Sequence, residues 1–403
     1  MCTLALKEVV KYYTSRKGQV YCCLLDATKA FDRVRFDKLF SILQTRGLPN
    51  GVIRLLMDMY RRQKVRTTWG GSHSSTFTTI NGVRQGGVLS PILFAIYIDV
   101  LLDRLESSGI GCYVGDEYMG ALGSADDLSL LAPTLYSLKC MIRICEDFAT
   151  EYDIAFNGTK TVCMWFHGRR TAPVRDMPVI TLGNTPLSWS NTAKHLGNII
   201  SSDITDGDEI RAKRSDFIGR VNSAIANFKY VPRDICSRVF VSQCCHLYGS
   251  QAWAIDNNHI ETFCVSWNRA VRKLWFLPNT ARSCILPYLV GTKSIRQQIL
   301  SRVASLYNSI RKGHNRKMLN LMRHSVNMNN MGIMGRNTEV ISNEWHCGFE
   351  KLVDNTQSAD TDMAARAAVI RDLTDCREGR RDIAEFSRDE VADLRNYVAC
   401  YRD

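Results

Sequence analysis

The chain has 403 residues and 15 cysteines, yet no CxxC pair. An odd number of scattered cysteines, including the doublets Cys22–Cys23 and Cys244–Cys245, does not read as a disulfide framework. Cys244, Cys245 and His246 are adjacent, which is the wrong spacing for a zinc knuckle. No secretory start is recognisable, so reduced thiols in the nucleus or cytosol are expected rather than secretion. A membrane span is missing too, because the most apolar segment is short and carries Asp99. Nor is there an internal repeat. What is present, 45% hydrophobic and 23% charged residues, suits a globular protein of two or three domains. The net charge of +12 and pI near 9.0 are a footprint of polyanion binding that many other basic proteins share.

Two apolar runs end on acid. Residues 21–34, YCCLLDATKAFDRV, close their run on Asp26, and residues 122–133, LGSADDLSLLAP, are interrupted by Asp126 and Asp127. Strands that deliver carboxylates to a sheet edge can hold hard divalent cations, which prefer oxygen ligands. Two such ions about 3.5–4 Å apart serve phosphoryl transfer. An Asp-Asp pair alone arises by chance on the order of once in a chain this long. The weight comes from residues 80–109, where the turn Gln85-Gly86-Gly87 runs into Ser90-Pro91 and an apolar helix. Ser90 is expected as its N-cap with Pro91 at the first helical position. Ile92, Ala95, Ile96, Ile98, Val100, Leu101, Leu102 and Leu105 predict a largely buried helix.

In order, these pieces resemble the palm of reverse transcriptases, in particular those of non-LTR retrotransposons of the jockey and chicken-repeat kind. LLDATKAFDRV resembles the first catalytic motif, VRQGGVLSPILF the template and nucleotide-binding motif, and SADDLSLLAP the Ala-Asp-Asp motif. IAFNGTKTVCMWF resembles the motif carrying an Asn and a Lys, KHLGNII the primer grip, and LYGSQAW with WNRAVRKLWFLPNTA the thumb. The resemblance implies an α+β fold: an antiparallel palm sheet backed by helices, with residual fingers elements, over residues 1–204. A helical thumb and connection would follow over 205–310, then a linker and helical region over 311–403.

It also implies an RNA-directed DNA polymerase that adds dNTPs to a DNA primer on an RNA template, with two magnesium ions, or manganese in their place. Asp26, Asp126 and Asp127 would hold the metal. Phe31 would be a steric gate under the incoming sugar, since a flat aromatic leaves no room for a 2′-hydroxyl. Ala27, Gln85 and Gly86 would contact nucleotide and template, Lys160 would protonate the departing pyrophosphate, and Leu196 and Gly197 would place the primer end. Phe31 argues against an RNA-dependent RNA polymerase.

Two departures stand against activity. Ser124 occupies the place of an aromatic before Ala-Asp-Asp. Lost packing of that size costs about 3 kcal/mol or more at a fully buried site. Basic fingers expected upstream of the first motif have no counterpart, which reads as a truncated copy. The alternative is therefore an inactive remnant that binds RNA or an RNA–DNA hybrid.

The remaining pattern is structural. Phe36, Leu39, Phe40 and Leu43 predict one helix, and Val52, Leu55, Leu56, Met59 and Tyr60 the next. Residues 65–80 read as a hairpin split by GGSHS. Leu138, Met141, Ile142, Cys145 and Phe148 predict a helix backing the sheet, and Phe217, Val221, Ile225 and Phe228 another beyond Asp206. Trp253, Trp267 and Trp275, interleaved with Arg269, Arg272 and Lys273, fit either helix core or stacking on a nucleic-acid strand, with the thumb resemblance favouring the strand. Residues 327–337 read as a linker, and residues 386–398 as a final capped helix.

Overall fold

The computed structural model describes residues 1–167, 177–313, 315–327 and 332–345. The expected helix over 386–398 lies outside them. The chain divides into two compact units, Met1–Leu196 with Ile200–Ile204, and Gly197–Ile199 with the residues from Thr205 onward.

In the first unit α1 (Cys2–Ser15) leads through a tight turn into β1 (Gln19–Leu25). The short β2 (Ala27–Thr28) follows Asp26, and a 3-10 turn spans Ala30–Arg33. Next come α2 (Phe36–Thr45), α3 (Asn50–Arg61) and a two-tier hairpin. In it β3 (Lys64–Val65) pairs with β6 (Phe77–Thr78), and β4 (Thr68–Trp69) with β5 (Ser72–His73). α4 (Ser90–Ser107) and a small hairpin of β7 (Tyr113–Val114) and β8 (Glu117–Tyr118) precede β9 (Ala121–Ser124) and β10 (Asp127–Ala132). Beyond α5 (Leu135–Tyr152) lie β11 (Ala155–Phe156) and β12 (Val162–His167). The short β13 (Thr181–Leu182), β14 (Thr185–Pro186), β15 (Ser188–Trp189), β16 (Thr192–His195) and β17 (Asn198–Ser201) complete the strands.

β1 lies at the centre of the main sheet, whose order is β15-β12-β1-β10-β9. All its pairings are antiparallel except β12 with β15. The α+β class is the one expected. The near-continuous apolar run of β1 is explained by cover on both faces. Cys23 and Leu25 join the core formed with Leu39, Phe94 and Leu138 from α2, α4 and α5. Cys22 and Leu24, of opposite parity, are buried as well, and α1 packs on this strand.

α2 and α5 bury the faces their spacing predicts. Two other helices correct the reading. α3 buries Ile53, Leu56 and Tyr60, while Val52, Leu55 and Met59 are exposed. α4 buries Leu93, Phe94, Tyr97, Ile98, Leu101 and Leu105, while Ile92 and Ala95 face solvent. Ser90 is the first helical residue rather than the cap, because its hydroxyl donates to the Arg84 carbonyl and braces the glycine turn instead.

The second unit is helical: α6 (Gly207–Asn227), α7 (Arg233–Val239), α8 (Asn258–Leu274), α9 (Leu286–Val290), α10 (Ile295–Lys312), α11 (Arg316–Asn327) and α12 (Ile333–Trp345). Phe217 and Val221 of α6 are buried as their stripe predicts. Trp253 and Trp267 are fully buried and Trp275 nearly so, so these rings are core and not a stacking surface. Residues 333–337, read as linker, are the first turn of α12. Gly335 lets it approach α11, since a Cβ there would meet the Ser325 carbonyl. The buried Asn337 side chain accepts from the Ile255 N–H at 2.8 Å and donates to the Trp253 carbonyl and the Tyr307 hydroxyl. Among the described residues no helix is long and apolar enough to cross a membrane.

Candidate functional site

Asp26 sits where β1 passes into β2, and its backbone is held on both sides. Its N–H donates to the Thr161 hydroxyl at 3.3 Å, and its carbonyl accepts from the Asn157 N–H at 2.7 Å. The antiparallel register runs through Leu25 opposite Leu128, so the next step sets Asp26 opposite Asp127. Asp127 also pairs with Ser124 across the β9–β10 turn, whose tip is Ala125 and Asp126. Ala125 has φ +55, a conformation unusual for a residue with a Cβ.

The electrostatics of the three acids are unequal. Burial first, then the charges of Asp126 and Asp26, raise the Asp127 carboxyl above its ordinary range. A purely oxygen donor set of this kind suits a hard divalent cation and not zinc or copper. A cation would also relieve the repulsion felt by Asp127. Among the described residues, however, no three acidic, His or Cys side chains are grouped closely enough to grip an ion as they stand. Coulomb repulsion reaches farther than a metal–oxygen bond, which reconciles the two observations.

Lys160 approaches this cluster, its Nζ 4.0 Å from Asp26 Oδ2. Its loop is built by Asn157, whose Oδ1 accepts from the Thr159 N–H at 3.0 Å, the Thr159 hydroxyl at 2.7 Å and the Lys160 N–H at 3.3 Å. β11 pairs with β2, joining Phe156 to Ala27, so the lysine loop is tied to the strand that carries Asp26. Gly158 is required by close approach, since a Cβ there would meet the Thr185 side chain at 2.7 Å.

Phe31 is half-buried in the 3-10 turn. It stacks on the fully buried Phe94 with ring centroids 4.7 Å apart. Its carbonyl accepts from the Val83 N–H at 2.8 Å, and Gln85 Nε2 donates to Asp32 at 3.0 Å. The glycine turn is thereby docked on the aromatic turn. Gln85 and Gly86 are exposed, and Gly86 has φ +78 with open space beside it.

Leu196 and Gly197 form the tip between β16 and β17, with φ +50 and +74. Just before it, the buried His195 shares a 2.9 Å hydrogen bond between Nε2 and the Ser129 hydroxyl of β10. Burial lowers the His195 pKa to about 4, so the ring is neutral at physiological pH. That bond ties Leu196 to the strand that starts at Asp127. Thr161, Asp32 and Ser129–His195 are not among the residues the sequence singles out, whereas Asn157 is the Asn of the stretch that resembles the Asn-and-Lys motif.

Residues 2–200 match the family described as reverse transcriptase (RNA-dependent DNA polymerase). The chain is 31% identical over 206 residues to the retrovirus-related Pol polyprotein from type-1 retrotransposable element R2 of Nasonia vitripennis, over 50% of this chain and 20% of that one. It is 25% identical over 212 residues to the RNA-directed DNA polymerase from mobile element jockey of Drosophila funebris, over 51% of this chain and 22% of that one. The chain thus spans about a fifth of the length of these relatives. Among solved structures it is similar to telomerase from Candida albicans in complex with a TWJ fragment of telomeric RNA. There the TM-score is 0.41 and the identity 10%, over 88% of this chain and 52% of that one.

Proposed function

Residues 2–200 belonging to the reverse transcriptase family, with relatives from non-LTR retrotransposons, we propose that the chain acts as an RNA-directed DNA polymerase. The first unit serves as palm and the second as thumb. The observation that carries this reading is that Asp26 directly follows β1 and Asp127 opens the neighbouring β10, with Asp127 feeling both other acids.

Asp26, Asp126 and Asp127 would hold two magnesium ions, which supply activation of the primer 3′-hydroxyl and neutralisation of the leaving pyrophosphate. The chain's own residues do the rest. Phe31, braced by Phe94, lies under the deoxyribose and excludes a 2′-hydroxyl. Gln85 and the open Gly86 turn contact nucleotide and template. Lys160 stands ready to donate a proton to the pyrophosphate, and Leu196 and Gly197 place the primer end.

A second reading, an inactive chain that only grips RNA or a hybrid, is favoured by one observation. Ser124, opposite Asp127, fills less space than the aromatic side chain of the family motif. Primer extension on a poly(rA)–oligo(dT) hybrid with dTTP and magnesium separates the two. Incorporation that disappears in Asp126→Asn supports the polymerase. Hybrid binding without incorporation in the parent chain supports the second reading.

A further inference from the structure

Residues 59–98 contain Arg61, Arg62, Lys64, Arg66 and Arg84 but no acidic residue. Four of these five lie in and just before the two-tier hairpin of the first unit, and all are exposed. Elsewhere in that unit Arg33, Arg35, Arg46 and Arg104 each hold a carboxylate at 3.0 Å or less. At the hairpin, among the described residues only Arg62 has one, Asp58 at 3.6 Å. Arg61, Lys64 and Arg66 are thus held out to solvent with no carboxylate partner among the described residues.

The same hairpin exposes an aromatic ring at its tip. Trp69 is 87% exposed, in the pair next to the Gly70-Gly71 turn, where both glycines have positive φ. The tip is held by backbone pairing and by a 3.0 Å hydrogen bond between the Thr68 hydroxyl and His73. A large ring that supports no core is placed for an external partner. Unpaired cations beside an exposed indole match the recognition of single-stranded nucleic acid, in which bases stack on aromatics and the backbone follows positive charge. A duplex offers no free base face at its side, so the indole selects a single strand.

The hairpin is also coupled to the candidate site. The Thr79 N–H closes its base on the Gln63 carbonyl, and four residues later Val83 bonds to Phe31 and Gln85 to Asp32. We propose that the hairpin over Lys64–Thr78 is an arm that holds the unpaired RNA template beyond the primer end, with Trp69 stacking on a base and Arg61, Lys64 and Arg66 on its phosphates. The direction along the template rests on the polymerase reading, whereas the single-strand contact does not.

The test is fluorescence anisotropy of the full chain with a labelled primer–template, blunt or carrying an RNA overhang of about ten nucleotides. Trp69→Ala weakens binding of the overhang substrate about tenfold and leaves the blunt one unchanged, while Trp69→Phe restores the loss. Arg61→Gln with Arg66→Gln lowers the slope of log affinity against log salt by about 0.7 per charge. Unchanged overhang affinity and slope would overturn the arm. Equal losses on the blunt substrate would also overturn it, since the contact would then be to duplex. Trp69-dependent binding to anionic phospholipid vesicles, with none to RNA, would assign the patch to a membrane surface instead. If the parent chain extends no primer yet Trp69→Ala still loses overhang affinity, the polymerase reading fails and the arm stands.

Discussion

Phe31 is half-buried, with one face on a rigid support. Stacking on the fully buried Phe94 fixes where the ring lies, which a gate that discriminates by sterics needs. Phe31→Ala removes the obstacle while leaving Phe94 in place. The expected outcome is ribonucleotide incorporation raised about tenfold relative to deoxynucleotide, read as the ratio of kcat/KM values. Unchanged sugar selection would reject the gate. Stability should fall by about 1–3 kcal/mol, less than for a fully buried ring. Asp127 makes a different prediction. Its folded pKa is raised by burial and by Asp126 and Asp26, so the fold favours its protonated form. That preference contributes stability below the ordinary carboxylate range, and it is lost as pH rises through the raised value. Asp127→Asn should therefore raise the Tm at neutral pH, with the gain vanishing in acid. Magnesium should raise the Tm of the parent chain more than that of the variant. A neutral-pH Tm that falls in Asp127→Asn would contradict the sign. Asp26, Asp126 and Asp127 stand out in the sequence as candidates because acids that end apolar runs are conspicuous, and the fold brings Asp126 and Asp26 near enough to raise Asp127. Ser129 and His195 do not stand out, because a hydroxyl and an imidazole 66 residues apart meet only once β10 and β16 are placed.

At the scale of elements, the lysine loop between β11 and β12 shows how a mobile side chain is aimed by backbone. Lys160 is largely exposed, and nothing buries its amine. Its position near Asp26 comes from Asn157, which closes the loop with three accepted hydrogen bonds and donates its own N–H to the Asp26 carbonyl. Asn157→Ala should lower kcat about ten- to a hundredfold with little change in KM, because placement rather than binding is lost. Asn157→Asp, which keeps the acceptor, should recover most of the rate. A variant with reduced affinity and intact kcat would make the loop a binding element instead. Elements with one clear apolar stripe, α2 and α5, were legible. In α3 and α4 the sequence offers more apolar positions than the core has room for, and periodicity does not say which are left outside. α12 was missed for another reason: a stretch rich in Gly, Met and Asn looks like a linker until the close approach to α11 that needs Gly335 is seen.

Across the molecule, the cysteines bear on how the chain must be handled. Those described are free thiols, and Cys22, Cys23, Cys112, Cys145 and Cys163 are buried in the sheet unit that carries the candidate site. Burial holds the Cys22 thiol well above the usual range, a hydrogen bond with Cys163 and then burial do the same for Cys23, and burial pushes Cys112 up to about 12. In the helical unit it raises Cys245 to about 12 and Cys264 to about 11, whereas Cys284 is exposed. The thiolate is the reactive form, so burial withdraws this set by access, and Cys22, Cys23 and Cys112 by ionisation as well. With a thiol-specific chromogenic disulfide at pH 8, Cys284→Ser should remove one equivalent from the fast phase of the native chain. The five sheet cysteines should react only as the first unit unfolds, giving a slow phase whose rate follows the loss of far-ultraviolet circular dichroism. A slow phase that precedes unfolding would mean that β1 opens locally in the native state, and with it the backbone that holds Asp26. That outcome would also predict loss of primer extension on thiol modification of a chain that is still folded. Coincidence of the two rates would instead make β1 part of the most stable core, as its central place in the sheet requires.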